Sequence, residues 1–143
     1  MPDVLYTAHA HVTGGRDGHG RSTDGELDVD LRIPKEMGGV GGGTNPEELF
    51  AVGYAACFES ALGVVARRRH LHAGEVTIES AVSLLPTGDG GFTLAVTLDV
   101  AVPSVADRET SAELVREAHQ ACPYSNATRD NIDVTLLLGG EPI

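Results

Sequence analysis

The sequence predicts an α+β fold, with antiparallel sheets around one long buried central helix. Three observations carry that reading. Strand-forming and helix-forming stretches come in blocks rather than in βαβ alternation. An apolar run from Pro46 to about Arg69 follows a strong helix-start signal. The 143 residues suffice for one ordinary domain, 1–143, with a sizeable core, but not for two.

Each element has its own signal. Leu5 to Val12 favours a strand, and Gly14-Gly15 breaks it. Arg16-Asp17-Gly18-His19-Gly20 reads as a polar turn. From Glu26 to Ile33, Leu27, Val29, Leu31 and Ile33 alternate with Asp28, Asp30 and Arg32, which predicts a half-buried antiparallel strand ended by Pro34. A glycine-rich loop over 37–43 then leads to the helix start. Asn45 suits the N-cap, Pro46 the first helical position, and Glu48 the acid of a capping box. Glu47 gains from the helix dipole. Leu49 through Ala66 is apolar nearly all round, broken mainly by Glu59 and Ser60. Such a helix is buried on more than one side, which in so short a chain predicts a subunit interface as well as a core. Val76 to Leu85 and Phe92 to Val102 form a hairpin across a turn dense in glycine. Asp107 to Ala121 is an amphipathic helix, stopped by Pro123 directly after Cys122, and Ser125-Asn126 starts a further short turn. Ile132 to Leu138 is the last strand.

Composition narrows the function. A net charge of −11 makes nucleic acid and anionic membranes poor partners. No stretch reads as the run of about 20 apolar residues that a membrane helix needs, and the start has no signal-peptide pattern. The expectation is a soluble, cytoplasmic protein, where a disulfide tends to be transient and catalytic. The two cysteines fit no zinc motif. His9, His11, His70 and His72 alternate along the chain but lack a third ligand at suitable spacing. The glycine-rich loop lacks the GK[ST] ending of a phosphate loop, Asn126-Ala127-Thr128 fits a glycosylation acceptor without a secretion signal, and neither Ser60 nor Ser125 sits in a nucleophile elbow.

The cysteines remain. Cys57 lies mid-helix among apolar neighbours, which raises a thiol's pKa, so a reactive Cys57 needs a cation brought to it. Arg16 and Arg21 are the candidates, and an arginine there would stabilise both the thiolate and the charge on a departing oxygen. Glu47 and Glu48 are the candidate carboxylates to hold that arginine. Glu47 is ten residues before Cys57 on one helix, or roughly 15 Å along the axis. One guanidinium cannot reach both within a chain. Two such helices crossing antiparallel about a two-fold axis solve this, which predicts a homodimer with active sites at its interface. Cys122, at a helix end, is a sensible place for a resolving thiol that reaches a sulfenic acid on Cys57. The rival reading is a redox switch, in which the same disulfide changes partner contacts without turnover.

Four blocks carry a family resemblance: VLYTA at Val4, TGGRDG at Thr13, GTNPEELFAVGYAACF at Gly43 and CPYSNATRDNIDV at Cys122. The chain resembles the organic hydroperoxide resistance (Ohr) branch of the OsmC family over nearly its whole length. The resemblance implies an intertwined homodimer, a peroxidatic Cys57, a resolving Cys122, Arg16 as activator and Glu47 as its anchor. It implies organic and fatty-acid hydroperoxides as substrates, in the response to oxidative stress. The implied reductant is an external dithiol, a dihydrolipoyl group on a lipoylated protein, with no metal, haem or flavin. Leu49, Phe50, Tyr54, Phe58 and Tyr124 are candidates for an alkyl-tail pocket and serve equally well as core. Two positions depart from the family pattern: Glu48 stands where Gln is common, and Arg21 adds a second arginine beside the Arg16 turn.

Overall fold

The computed structural model describes residues 2–143. The chain forms two compact units that divide between Leu49 and Phe50.

The first unit holds a three-stranded antiparallel sheet of β1 (Ala10–Thr13), β2 (His19–Ser22) and β3 (Asp28–Asp30). Strand structure begins later than the sequence suggests. Val4, Leu5 and Tyr6 are exposed, and β-favouring side chains form a strand only where a neighbour completes the ladder. The chain also reverses faster than the turn reading implied. Gly14 and Gly15 take left-handed φ of 75° and 56°, and a 3-10 turn over Gly15–Asp17 returns the chain into β2 at His19. A Cβ at Gly18 would lie 1.8 Å from the Thr13 carbonyl oxygen, so the turn closes only around glycine.

Beyond β3, the backbone lashes two distant segments together. Leu31 N–H donates to the Gly18 carbonyl, Arg32 N–H to the Thr44 carbonyl, and Thr44 N–H to the Asp30 carbonyl. Leu31 and Thr44 form a parallel bridge. The start of α1 (Pro46–Arg68) is thereby held beside the Arg16 turn. Asn45 caps it, its side-chain oxygen accepting from Glu48 N–H at 2.8 Å. Half of the capping box forms: the Glu48 carboxylate accepts from the Thr44 hydroxyl rather than from the cap's own N–H.

The second unit packs the rest of α1 and the helix α2 (Arg108–Ala121) against a four-stranded sheet, ordered β4 (Thr77–Pro86), β5 (Phe92–Ala101), β6 (Asp133–Leu138), β7 (Glu141–Pro142). The hairpin register sets Val82 opposite Val96 and Leu84 opposite Leu94. The sheet is mixed rather than antiparallel, because β6 runs parallel to β5. The connection between them carries α2 and the short α3 (Pro123–Thr128), long enough for the crossover a parallel pair requires. Phe58, Leu62, Leu98, Leu114 and Val115 are fully buried, each contributing about 1.5–3 kcal/mol of apolar burial. Asp107 caps α2 by accepting from Thr110 N–H.

One reading of α1 needs correction. By length and composition it is apolar enough to cross a membrane, since Glu59 and Ser60 interrupt the run too little to disqualify it. Within the single chain its burial is uneven along its faces. Tyr54, Phe58, Ala61, Leu62 and Val65 pack inward, whereas Val52 is 71 % exposed.

Candidate active site

Arg16 rises from the glycine turn of the first unit and meets Glu47 in the first turn of α1. Its Nη1 donates to Glu47 Oε1 at 2.7 Å and its Nη2 to Oε2 at 3.2 Å, a two-pronged pairing that lysine cannot make. Donating to the Glu47 carboxylate raises the Arg16 pKa, so the guanidinium stays charged. The Glu47 side chain is only 15 % exposed. Arg21, exposed on β2, makes no ion pair among the described residues, and Glu48 is turned to Thr44. Of the two arginines and two glutamates considered, the structure pairs Arg16 with Glu47.

The second unit brings the cysteines together. Cys57 is half-buried on α1 and Cys122 is fully buried at the junction of α2 and α3, and both are free thiols. Their sulfurs lie 3.6 Å apart. Pro123 explains the junction. The residue before a proline is pushed out of the helical region, and Cys122 sits extended at φ −67°, ψ 126°, ending α2 and capping α3 at once. A disulfide needs about 2.05 Å, so closure asks for a movement of roughly 1.5 Å.

Burial pushes the Cys57 thiol pKa up, and the hydrogen bond with Cys122 adds to this. The backbone N–H of Tyr124, in the first turn of α3, donates to the Cys57 sulfur and pulls the other way. Within the second unit the net direction is upward, which favours the thiol over the thiolate. A thiolate needs a cation from elsewhere.

A cavity of about 600 Å³ in the second unit is lined by Phe50, Leu94, Pro123, Tyr124, Ala127 and Ile132 among others, with Pro123 and Tyr124 directly following Cys122 in the chain. The Phe50, Tyr54 and Tyr124 rings pack against one another in edge-on and tilted arrangements with centroids 5.6–6.0 Å apart. Gly53 makes room for this packing, as a Cβ there would lie 2.8 Å from the Tyr124 hydroxyl. A groove of about 640 Å³ lies elsewhere, along the exposed side of α1 at Ala56, Ser60 and Gly63, and carries no thiol.

Of the five candidate pocket residues, Phe50 and Tyr124 line the cavity. Tyr54 and Phe58 are corrected to core, since neither has any exposed surface. Leu49 falls in the first unit and does not line that cavity. His9 and His11 are exposed, and no three metal-ligating side chains cluster among the described residues. Sequence reasoning missed His119, and it set Ser125 aside as a nucleophile without seeing another role. Ser125 Oγ lies 2.8 Å from both Tyr54 Oη and His119 Nδ1. The available signal was spacing, for His119 and Ser125 flank Cys122 at three residues on either side.

Comparisons with known proteins show what the chain is similar to. A family model described as OsmC-like protein matches residues 39–137. The organic hydroperoxide resistance protein of Xanthomonas axonopodis pv. citri is 55 % identical over 139 residues, covering 94 % of this chain and 95 % of its own. The crystal structure of an organic hydroperoxide resistance protein from Legionella pneumophila superposes with a TM-score of 0.91 at 48 % identity, covering 95 % of this chain and 98 % of that one. That of OhrB from Bacillus subtilis gives a TM-score of 0.86 at 48 % identity, covering 94 % and 99 %. The chain belongs to the OsmC-like family, among the organic hydroperoxide resistance proteins.

Proposed function

We propose that this protein is a thiol peroxidase that reduces organic hydroperoxides to alcohols in the response to oxidative stress. The observation that carries the reading is the pair of free thiols 3.6 Å apart, one half-buried and one fully buried at a helix junction. The Cys57 thiolate attacks the terminal peroxide oxygen. The O–O bond breaks, and the alkoxide leaves as the alcohol after taking a proton. Cys57 is left as a sulfenic acid. Cys122 sulfur displaces the hydroxyl, which leaves as water, and the disulfide closes. A dithiol then reduces the disulfide through a mixed disulfide and is itself oxidised.

Arg16, held by Glu47, is the cation that lowers the Cys57 pKa and stabilises the departing oxygen. Glu47 and Cys57 are roughly 15 Å apart along α1, so the arginine serves the partner subunit's Cys57 in a two-fold homodimer. Val52, a large apolar side chain exposed on α1 beside small Ala56, is compatible with such an interface. The apolar cavity at Phe50 and Tyr124 suits an alkyl or fatty-acyl tail. The reading takes 1–143 as one working domain in the cytoplasm, re-reduced by a dihydrolipoyl group of a lipoylated protein, with no metal, haem or flavin and no nucleic-acid or membrane partner.

The test is turnover of tert-butyl hydroperoxide with dihydrolipoamide. Many equivalents consumed by wild type and none by Cys57→Ser is the expected result. Consumption limited to one equivalent removes the enzyme reading.

A further inference from the structure

Behind the thiol pair lies a buried hydrogen-bonded bridge that the peroxidase chemistry does not use. Ser125 Oγ sits between Tyr54 Oη and His119 Nδ1, each at 2.8 Å, and Tyr54 Oη also meets Thr128 Oγ1 at 3.1 Å. Ser125 and Tyr54 have no exposed surface and Thr128 has 6 %. Buried hydroxyls without partners are costly, so this arrangement resists displacement of any one member.

Its members are placed around the cysteines. Tyr54 precedes Cys57 by three residues on α1, His119 precedes Cys122 by three on α2, and Ser125 follows Cys122 by three on α3. Arg129 adds a second tie, donating to the His119 carbonyl oxygen and to the Asn126 side-chain oxygen. The bridge thus joins the helix that carries Cys57 to both helices that meet at Cys122. Cys122 itself contributes no side-chain contact to the bridge. Its sulfur is positioned by the backbone on either side of it.

We infer that Ser125 and His119 are positioning residues that hold Cys122 in reach of oxidised Cys57, and so set the rate of disulfide closure against over-oxidation. This rests on the reading of Cys57 as peroxidatic and Cys122 as resolving. In closure the Cys122 sulfur bonds to the Cys57 sulfur, the S–O bond of the sulfenic acid breaks, and water leaves with the thiol proton. In the competing step a second hydroperoxide oxidises the sulfenic acid to a sulfinic acid and departs as alcohol. A displacement of about 1 Å at a reacting atom can cost on the order of a hundred-fold in rate. The roughly 1.5 Å by which the two sulfurs must still approach is of that scale.

The experiment compares wild type with Ser125→Ala, His119→Leu and His119→Asn, the last keeping a polar group near the position of Nδ1. Two readouts are taken on the full-length protein, with thermal midpoints measured alongside. Closure of the disulfide by diamide, which accepts the two electrons and two protons of the thiols, reports positioning without peroxide. The sulfinic fraction of Cys57 after tert-butyl hydroperoxide, measured by intact mass, reports the competition. Expected in Ser125→Ala and His119→Leu is closure slowed about ten-fold or more, with a correspondingly larger sulfinic fraction. The initial loss of the Cys57 thiol stays within about two-fold of wild type, and His119→Asn recovers most of the closure rate. Wild-type closure and sulfinic fraction in both Ser125→Ala and His119→Leu overturn the inference. So does a His119→Asn protein that closes as slowly as His119→Leu at a wild-type thermal midpoint. If Ser125→Ala does not fold, the two His119 variants decide. If wild type closes with diamide but turns over no hydroperoxide, the peroxidase reading fails, and the diamide rates still judge the positioning.

Discussion

At Arg16 the geometry is specific enough to predict from. Two parallel hydrogen bonds to Glu47 fix the plane of the guanidinium and leave its remaining donors pointed elsewhere. Arg16→Lys keeps the charge and loses the fork. Its peroxidase kcat/KM is expected to fall on the order of a hundred-fold, as when a positioned donor to a developing oxyanion is removed. Its urea midpoint should barely move, since a partly exposed ion pair contributes about 0–1 kcal/mol. The Cys57 environment was legible from its apolar neighbours, and burial does raise its pKa. The His119–Ser125–Tyr54 bridge was not legible, because its partners come from three elements and Tyr54 and Ser125 are 71 residues apart. The same bridge predicts a pH effect. Burial first, and the positive Arg129 second, hold the His119 pKa below its ordinary value of 6.5. The native state therefore binds fewer protons here than the unfolded chain, and stability is lost as pH falls below 6.5 through the native value. Scanning calorimetry from about pH 7 to about pH 5 should show a steeper loss of thermal midpoint in wild type than in His119→Asn.

Elements carry the thiols to their places. Asn45 and Pro46 announced the start of α1, because capping is local chemistry read over a few residues, whereas α2 was read from its amphipathic pattern and its Asp107 cap is seen in the structure. Strand pairing is not local, which is why β6 proved parallel to β5. Its continuous apolar run was a hint, as strands buried on both faces lose their alternation. The Cys122-Pro123 break is the decisive local feature. Pro123→Ala would let α2 and α3 merge, and the fraction of disulfide formed per oxidant equivalent, read by thiol alkylation, is expected to fall. Gly53→Ala tests the opposite wall of the site. The added methyl displaces Tyr124, whose backbone N–H contacts the Cys57 sulfur, so catalytic efficiency should drop while far-UV circular dichroism stays unchanged.

Across the whole molecule, Arg16 with Glu47 lies in one unit and Cys57 with Cys122 in the other. The two pairs were recovered together from sequence because the family resemblance named all four residues. Composition named none of them. The proposed second subunit rests on helix geometry, since Glu47 and Cys57 lie roughly 15 Å apart along α1. Under the proposed homodimer, a charge at the exposed Val52, as in Val52→Glu, is expected to shift the protein to monomer in sedimentation and to abolish peroxidase turnover. Diamide would still close Cys57 to Cys122 in that monomer, because both thiols belong to one unit. The central claim is that the thiol pair turns over with organic hydroperoxide. Its most direct test is parallel consumption of tert-butyl hydroperoxide and hydrogen peroxide with dihydrolipoamide, for wild type and Cys57→Ser. The account predicts multiple turnover with the organic peroxide, weaker turnover with hydrogen peroxide, and none in the variant. No more than one equivalent consumed by wild type with any dithiol would contradict it and leave a redox switch in its place.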